Sequence, residues 1–184
     1  MRLLDRHKDK YDKIVYIRKT VLSDNEELGF LPGSLEEKMS GFLSPLFSNL
    51  EYIAEKKAKK KLNKTDMENA IGKLMDDYNI VSLYQGHLRG TNIRNAIVIW
   101  DEAQNNTVAD AKTILTRVSE DCKVFALGST RQIDNKFTNR HNNALTYLLD
   151  RLKKDNGDVR IGAINLDKTE RSKIAEWADT FESK

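Results

Sequence analysis

Ala96-Ile97-Val98-Ile99-Trp100-Asp101-Glu102-Ala103-Gln104 is an unbroken apolar run that ends in two consecutive acids. Continuous apolar sequence of this length suits a strand covered on both faces, the condition of a buried parallel sheet. In open α/β sheets, ligands bind at the carboxyl ends of the strands. An aspartate there can hold Mg²⁺ against nucleotide phosphates, directly or through water. The adjacent glutamate can polarise an attacking water. A pair of acids beside a helix N-terminus has the same appearance in sequence, because acids favour that position too.

Further strands and helices alternate on either side of this run. Ile14-Val15-Tyr16-Ile17, Ile80-Val81-Ser82-Leu83-Tyr84 and Lys123-Val124-Phe125-Ala126-Leu127 read as strands, and Arg160–Leu166 is a weaker candidate for a last one. Ser34-Leu35-Glu36-Glu37 and Thr65-Asp66-Met67-Glu68 have capping-box spacing, and Thr107 can cap the helix carrying Ala111, Ile114, Leu115 and Val118. Met67, Ile71, Leu74 and Met75 share one helical face, as do Ile174, Trp177, Ala178 and Phe181 in a segment from about Lys168. The alternation predicts an α/β fold with a largely parallel sheet, formed as a single domain over residues 1–184.

The strand after the acidic one leads into Leu127-Gly128-Ser129-Thr130-Arg131-Gln132-Ile133-Asp134. A polar loop at that place is where a nucleotide-sensing side chain would sit, and Gln132 is the candidate; an ordinary glycine-initiated turn is the simpler reading. Arg117, on the intervening helix, faces either a nucleotide or a surface acid. Cys122 beside a strand reads as a core residue, and His7, His87 and His141 are scattered, without ligand spacing. Lys56-Lys57-Ala58-Lys59-Lys60-Lys61, followed by Lys64, is either a solvated helix face or a contact for a phosphate backbone.

The net charge of +3 on 184 residues gives no global nucleic-acid footprint, and 39% apolar with 32% charged residues fits a folded, helix-rich protein. One cysteine excludes an internal disulfide framework. No apolar run is long enough to span a bilayer and no signal-peptide core opens the chain, so a cytoplasmic protein without a membrane partner is expected.

Several blocks together resemble the phosphate-starvation-inducible PhoH-like ATPases. They are Leu28-Gly29-Phe30-Leu31-Pro32-Gly33 with Leu35-Glu36-Glu37-Lys38-Met39, Leu88-Arg89-Gly90-Thr91, Ile97–Asn105, Leu115-Thr116-Arg117 and Gln132-Ile133-Asp134. Asn143–Leu148 and Leu166–Ser172 look like the branch of that family often fused to a PIN ribonuclease domain. The resemblance implies a RecA-like P-loop NTPase core that binds ATP with Mg²⁺, and in PIN-fused members acts on RNA. Carried over by position, Asp101 matches the metal-binding acid and Glu102 the catalytic one. Gln104 matches the glutamine after those acids, Gln132 the sensor-loop glutamine, and Gly128 and Arg117 lie in nucleotide-side blocks. Arg171 matches a late arginine that reaches a neighbouring subunit's γ-phosphate in a homo-oligomeric ring.

Two departures from the family pattern matter. Gly128-Ser129 stands where Gly-Asp is usual, removing a carboxylate from the sensor loop. Nothing in the 184 residues has the form G-x-x-x-x-G-K-[ST]. The phosphate-loop strand is therefore expected to be missing, with the sheet showing a gap, a collapsed edge or pairing with another chain in its place. ATP binding by residues 1–184 alone is expected to be poor. The alternative reading is a degenerate, non-catalytic ATPase-fold module used for assembly or RNA binding.

Overall fold

Parallel pairing of the apolar runs sets the architecture. The computed structural model describes residues 1–19, 35–84, 88, 90–154, 160–166, 172–178 and 180, with backbone alone at 35–42, 175 and 176. Four strands, β1 (Lys13–Arg18), β2 (Ile80–Tyr84), β3 (Ala96–Asp101) and β4 (Lys123–Ala126), form one sheet. Their order is β2-β1-β3-β4, and every neighbouring pair is parallel. The register sets Arg18 opposite Asp101, and Ile17 opposite Trp100.

The inner strands β1 and β3 are apolar between their charged ends because helices cover both their faces. On one face Ile14, Tyr16 and Ile97 pack with Leu4, Leu46, Leu50, Ala54 and Leu74. These belong to α1 (Arg2–Arg6), α2 (Leu35–Ala58) and α3 (Lys64–Asp77). On the other face Val15, Ile17, Ala96, Val98 and Trp100 pack with Ala111, Ile114 and Ala144. These come from α4 (Val108–Leu115) and α5 (Ala144–Leu152). Successive residues of one strand thus feed opposite cores, and the expected α/β fold with a parallel sheet takes a three-layer form.

Local signals and structure agree at one helix start and differ at another. Thr107 caps α4 with a full capping box to Asp110. At α3 the cap is Asn63, whose side chain accepts from the Asp66 N–H at 2.9 Å, so the helix starts ahead of the expected Thr65. Asparagine caps as well as threonine does, and Asn63 is the residue with extended backbone there. Ser34 lies outside the described residues.

The expected last strand is a correction. Residues 160–166 join no ladder among the described residues, and Ile161, Ile164 and Leu166 are 45%, 90% and 86% exposed. An extended segment with no neighbour has nothing to hold it as a strand. The C-terminal helix is short, α6 (Lys173–Ala178), with Ile174 and Trp177 exposed, so its apolar stripe is not covered as expected. Phe181 lies outside the described residues. Nor is there a gap inside the sheet: the four strands are contiguous, and β4 lies at an edge with Phe125 and Leu127 partly exposed. No helix among the described residues is long and apolar enough to cross a membrane.

Candidate functional site

Where β3 ends, its ladder with the neighbouring strand skips a residue. The Leu127 N–H donates to the Trp100 carbonyl at 2.8 Å, and the Leu127 carbonyl accepts from Ala103 N–H, also at 2.8 Å. In a regular parallel pair those two partners are two residues apart; here they are three apart, and Glu102 is the extra residue. It takes the left-handed conformation, φ 52° and ψ 46°. That is a bulge, and for a residue with a Cβ it costs about 1–2 kcal/mol. Without it, consecutive side chains would point to opposite faces of the sheet.

With it, both acids reach one cation. Arg18 Nη1 lies 2.9 Å from Asp101 Oδ2, and Arg18 Nη2 lies 3.9 Å from Glu102 Oε1. Strand register explains the first contact, since Arg18 ends β1 directly opposite Asp101. Two residues back on the same face, the Tyr16 hydroxyl donates to Asp101 Oδ2 at 2.6 Å. Burial, and then the hydrogen bond to that carboxylate, push the Tyr16 phenol well above its ordinary range, so it stays a proton donor. The three charged side chains are only 24–30% exposed. Among the described residues Asp101 Oδ1 accepts no hydrogen bond.

Behind the acids stands a buried amide network. Gln104, fully buried, donates from Nε2 to Glu102 Oε2 and to the Gln132 carbonyl at 2.7 Å. Its Oε1 has no partner among the described residues and lies against Gly128, where a Cβ would overlap it. Gly128 is therefore required by the close approach of Gln104. Asn105 accepts from the backbone N–H groups of Asp134 at 2.8 Å and Asn135 at 3.3 Å, and Asn135 Nδ2 returns a bond to the Asn105 carbonyl at 2.7 Å. Trp100 Nε1 donates to Asn106 Oδ1 at 3.0 Å, and the Asn106 carbonyl accepts from Ala144 N–H at the start of α5. The loop carrying Gln132 is thus clamped beside Glu102, with the Gln132 side chain exposed.

Of the residues singled out in the sequence, Asp101, Glu102, Gln104, Gly128 and Gln132 come together here. Arg117 does not. The Ile93 N–H donates to its carbonyl at 2.7 Å, ahead of the first residue of β3, so it sits at the opposite end of the sheet. At about 3.3 Å per residue that separates it from the acids by roughly 20 Å. A helix as long as α4, running back antiparallel to its strand, carries its C-terminal neighbours to that end. Arg171 lies outside the described residues, as does His87. Cys122 donates to the Ile93 carbonyl, and burial raises its thiol pKa, as suits a core residue. Tyr16, Arg18, Asn105, Asn106 and Asn135 escape sequence reasoning; the asparagines adjoining Gln104 carry the one visible signal, a run of amides straight after a buried strand.

The donor set fits Mg²⁺. Carboxylate oxygens are hard ligands, and this ion is usually held by one or two of them, with water and phosphate completing its octahedron. Among the described residues no group of three or more acidic, histidine or cysteine side chains could hold a metal unaided.

A parallel sheet covered on both faces, with an acid pair on the end of an inner strand and the next strand's polar loop braced against it, defines a RecA-like P-loop NTPase core. The chain belongs to the PhoH family: residues 3–182 match the family described as PhoH-like protein. It is 34% identical over 168 residues to the protein PhoH2 of Bacillus subtilis, covering 91% of this chain and 35% of that one. It is 36% identical over 124 residues to a PhoH-like protein of Synechocystis, covering 67% of this chain and 34% of the relative. With Escherichia coli PhoH the identity is 34% over 128 residues, 70% of this chain and 33% of the relative. The chain thus spans about a third of the length of these relatives.

Proposed function

We propose that this chain carries the metal- and water-handling half of an ATP-hydrolysing site, on a domain that works on RNA. The observation that supports it is the convergence of Asp101 and Glu102 on one cation through the strained Glu102 turn. Bound Mg²⁺ would supply positive charge against the phosphates. Asp101 would hold it through Oδ1, the oxygen that Tyr16 and Arg18 leave open. Glu102, steadied from behind by Gln104 Nε2, would orient a water towards the γ-phosphate and take its proton. The Gln132 side chain, beside it, would sense the phosphate. The homo-oligomeric ring, with Arg171 reaching a neighbour's nucleotide, completes this reading on resemblance.

A phosphate cradle must come from outside the residues described. A strand delivering one has a place beside β4, whose outer edge has no partner among the described residues. Until that is filled, ATP turnover by the 184-residue chain should be weak or undetectable. Two measurements test the proposal. Mn²⁺, standing in for Mg²⁺, should broaden the nuclear resonances of residues 100–104 in the full chain, and Asp101→Asn should abolish this. Broadening elsewhere, or none, removes the metal role. Robust Mg²⁺-dependent turnover, lost in Glu102→Gln, would place a cradle within the chain.

The non-catalytic reading has its own support in Arg18, whose guanidinium already pairs with Asp101 and stands 3.9 Å from Glu102, and in Ser129. Full Mn²⁺ exclusion by the wild type, relieved in Arg18→Ala, would favour it.

A further inference from the structure

The chain's positive surplus is concentrated in one place that the acid site does not use. Residues 55–64, Glu55-Lys56-Lys57-Ala58-Lys59-Lys60-Lys61-Leu62-Asn63-Lys64, hold six lysines against one glutamate, a net of +5. The whole chain carries +3, so everything else sums to −2. The segment forms the end of α2, the turn, and the start of α3. All six lysines are exposed, and among the described residues none lies in an ion pair.

Its position is fixed by Lys57, whose Nζ lies 5.0 Å from the Tyr78 ring centroid; the Tyr78 hydroxyl in turn donates to Asp5. Tyr78 lies just ahead of β2, so Lys57 marks the amino-terminal end of the strands, opposite Asp101, while Lys64 opens α3 about 20 Å from Tyr78, at the far end of that helix.

Helix stability explains part of the cluster and not the rest. Lys56 and Lys57 end α2, where cations favour the helix dipole. Lys64 opens α3, where a cation is disfavoured. Lys59 holds a left-handed backbone, φ 55°, a position that suits glycine or asparagine. Lysines kept where folding disfavours them point to a use for the charge.

A second feature lies on the same helical face. Tyr52 is four residues before Lys56 on α2 and is 62% exposed, with Lys56 Nζ 5.3 Å from its ring centroid. Cations beside an exposed aromatic ring are the elements with which proteins track a single strand, charge on the phosphates and a ring for a base. An anionic membrane would want an apolar side chain among the lysines. The candidate, Leu62, is instead partly buried against the core.

We infer that Tyr52, Lys56, Lys59, Lys60, Lys61 and Lys64 form a docking surface for single-stranded RNA, centred on the turn between α2 and α3. The inference rests on the RNA part of the function proposed above and not on its ATPase part.

The test is fluorescence anisotropy of a labelled rU20 strand with the full chain across a salt series. For single strands the slope of log K against log salt is about −0.7 per phosphate contacted. The wild type should bind at low salt with a slope of about −3 to −4. The combined Lys59→Gln, Lys60→Gln, Lys61→Gln variant should lose about two units of slope, and Tyr52→Ala should weaken binding about fivefold or more. All four side chains are exposed, so circular dichroism should match the wild type. Wild-type binding with a slope unchanged in the triple variant overturns this surface and leaves the RNA reading standing. No binding by the wild type at low salt overturns both. Lysine-dependent binding to phosphatidylserine vesicles without rU20 binding overturns it in favour of a membrane surface.

Discussion

Replacing Asn105 by alanine should show how much the loop beside the acids depends on a single side chain. Asn105 is 3% exposed, and its Oδ1 receives the backbone N–H groups of Asp134 and Asn135 at 2.8 and 3.3 Å. Truncation leaves both donors without that acceptor, and the Asn135 N–H, in a residue only 6% exposed, has little water to replace it. A buried donor left unsatisfied costs about 1–3 kcal/mol, the longer bond counting at the low end. The total is about 2–4 kcal/mol, a large part of the roughly 5–15 kcal/mol that holds a domain of this size together. The bond from Asn135 Nδ2 goes to the Asn105 backbone carbonyl and survives, so the loop should loosen without detaching. Urea unfolding monitored by tryptophan fluorescence gives the stability, with hydrogen exchange at the Asp134 and Asn135 amides as the local readout. Asn105→Asp is the sharper control. It keeps the acceptor but replaces Nδ2, now 3.4 Å from Asp134 Oδ2, with a second carboxylate oxygen. A loss below about 0.5 kcal/mol in Asn105→Ala, with both amides still protected, would refute the clamp; the threshold is a small fraction of one unsatisfied donor.

Gly128→Ala should destabilise the chain by about 1–3 kcal/mol, because its Cβ overlaps the side chain of a fully buried Gln104; an unchanged melting temperature would count against that contact. Asp110 makes stability depend on acid. Burial would raise its pKa, but the Lys19 hydrogen bond and the Thr107 backbone N–H outweigh this and hold it below the usual carboxylate range. The stabilisation is therefore complete above about pH 4 and is lost as pH falls through the depressed value. Asp110→Asn should cost about 1 kcal/mol at neutral pH, and urea midpoints should show that gap to the wild type shrinking towards pH 3. The Cys122 thiol, raised by burial, should react with iodoacetamide at pH 8 more slowly than free cysteine does; equal rates would mean that its burial is transient.

The fold is legible where burial is symmetrical. β1 and β3 are apolar at every inner position because both faces are covered, and such runs need no partner to be recognised. Residues 160–166 carry the same composition in weaker form, yet strand formation depends on a neighbour, and sequence composition does not say whether one is beside it. α6 differs from expectation for a related reason: its spacing of Ile174 and Trp177 names a face but not the surface that would cover it. The cap at Asn63 is hidden because Thr65 offers an equally good pattern two residues later, and only backbone conformation separates the two.

Within the site, the acids are legible and the groups that hold them are not. Tyr16 and Arg18 are 85 and 83 residues from Asp101, and only the register of β1 against β3 brings them there. The bulge leaves no trace in composition either, since glutamate is a poor residue for a left-handed turn and nothing local favours it. That mismatch is informative. A regular strand end would have separated the acids for less strain and with less mutual repulsion. The folded chain instead brings them to one spot and sets Arg18 between them. Two carboxylates held together against their repulsion call for a cation, and a guanidinium on a neighbouring strand is the one this chain supplies itself. A divalent ion entering there would meet Asp101 with one oxygen already open and Glu102 at 3.9 Å, beyond hydrogen-bond reach of Arg18. Asp101 Oδ1 would hold it, with Arg18 kept on Oδ2 and Glu102 left to orient a water.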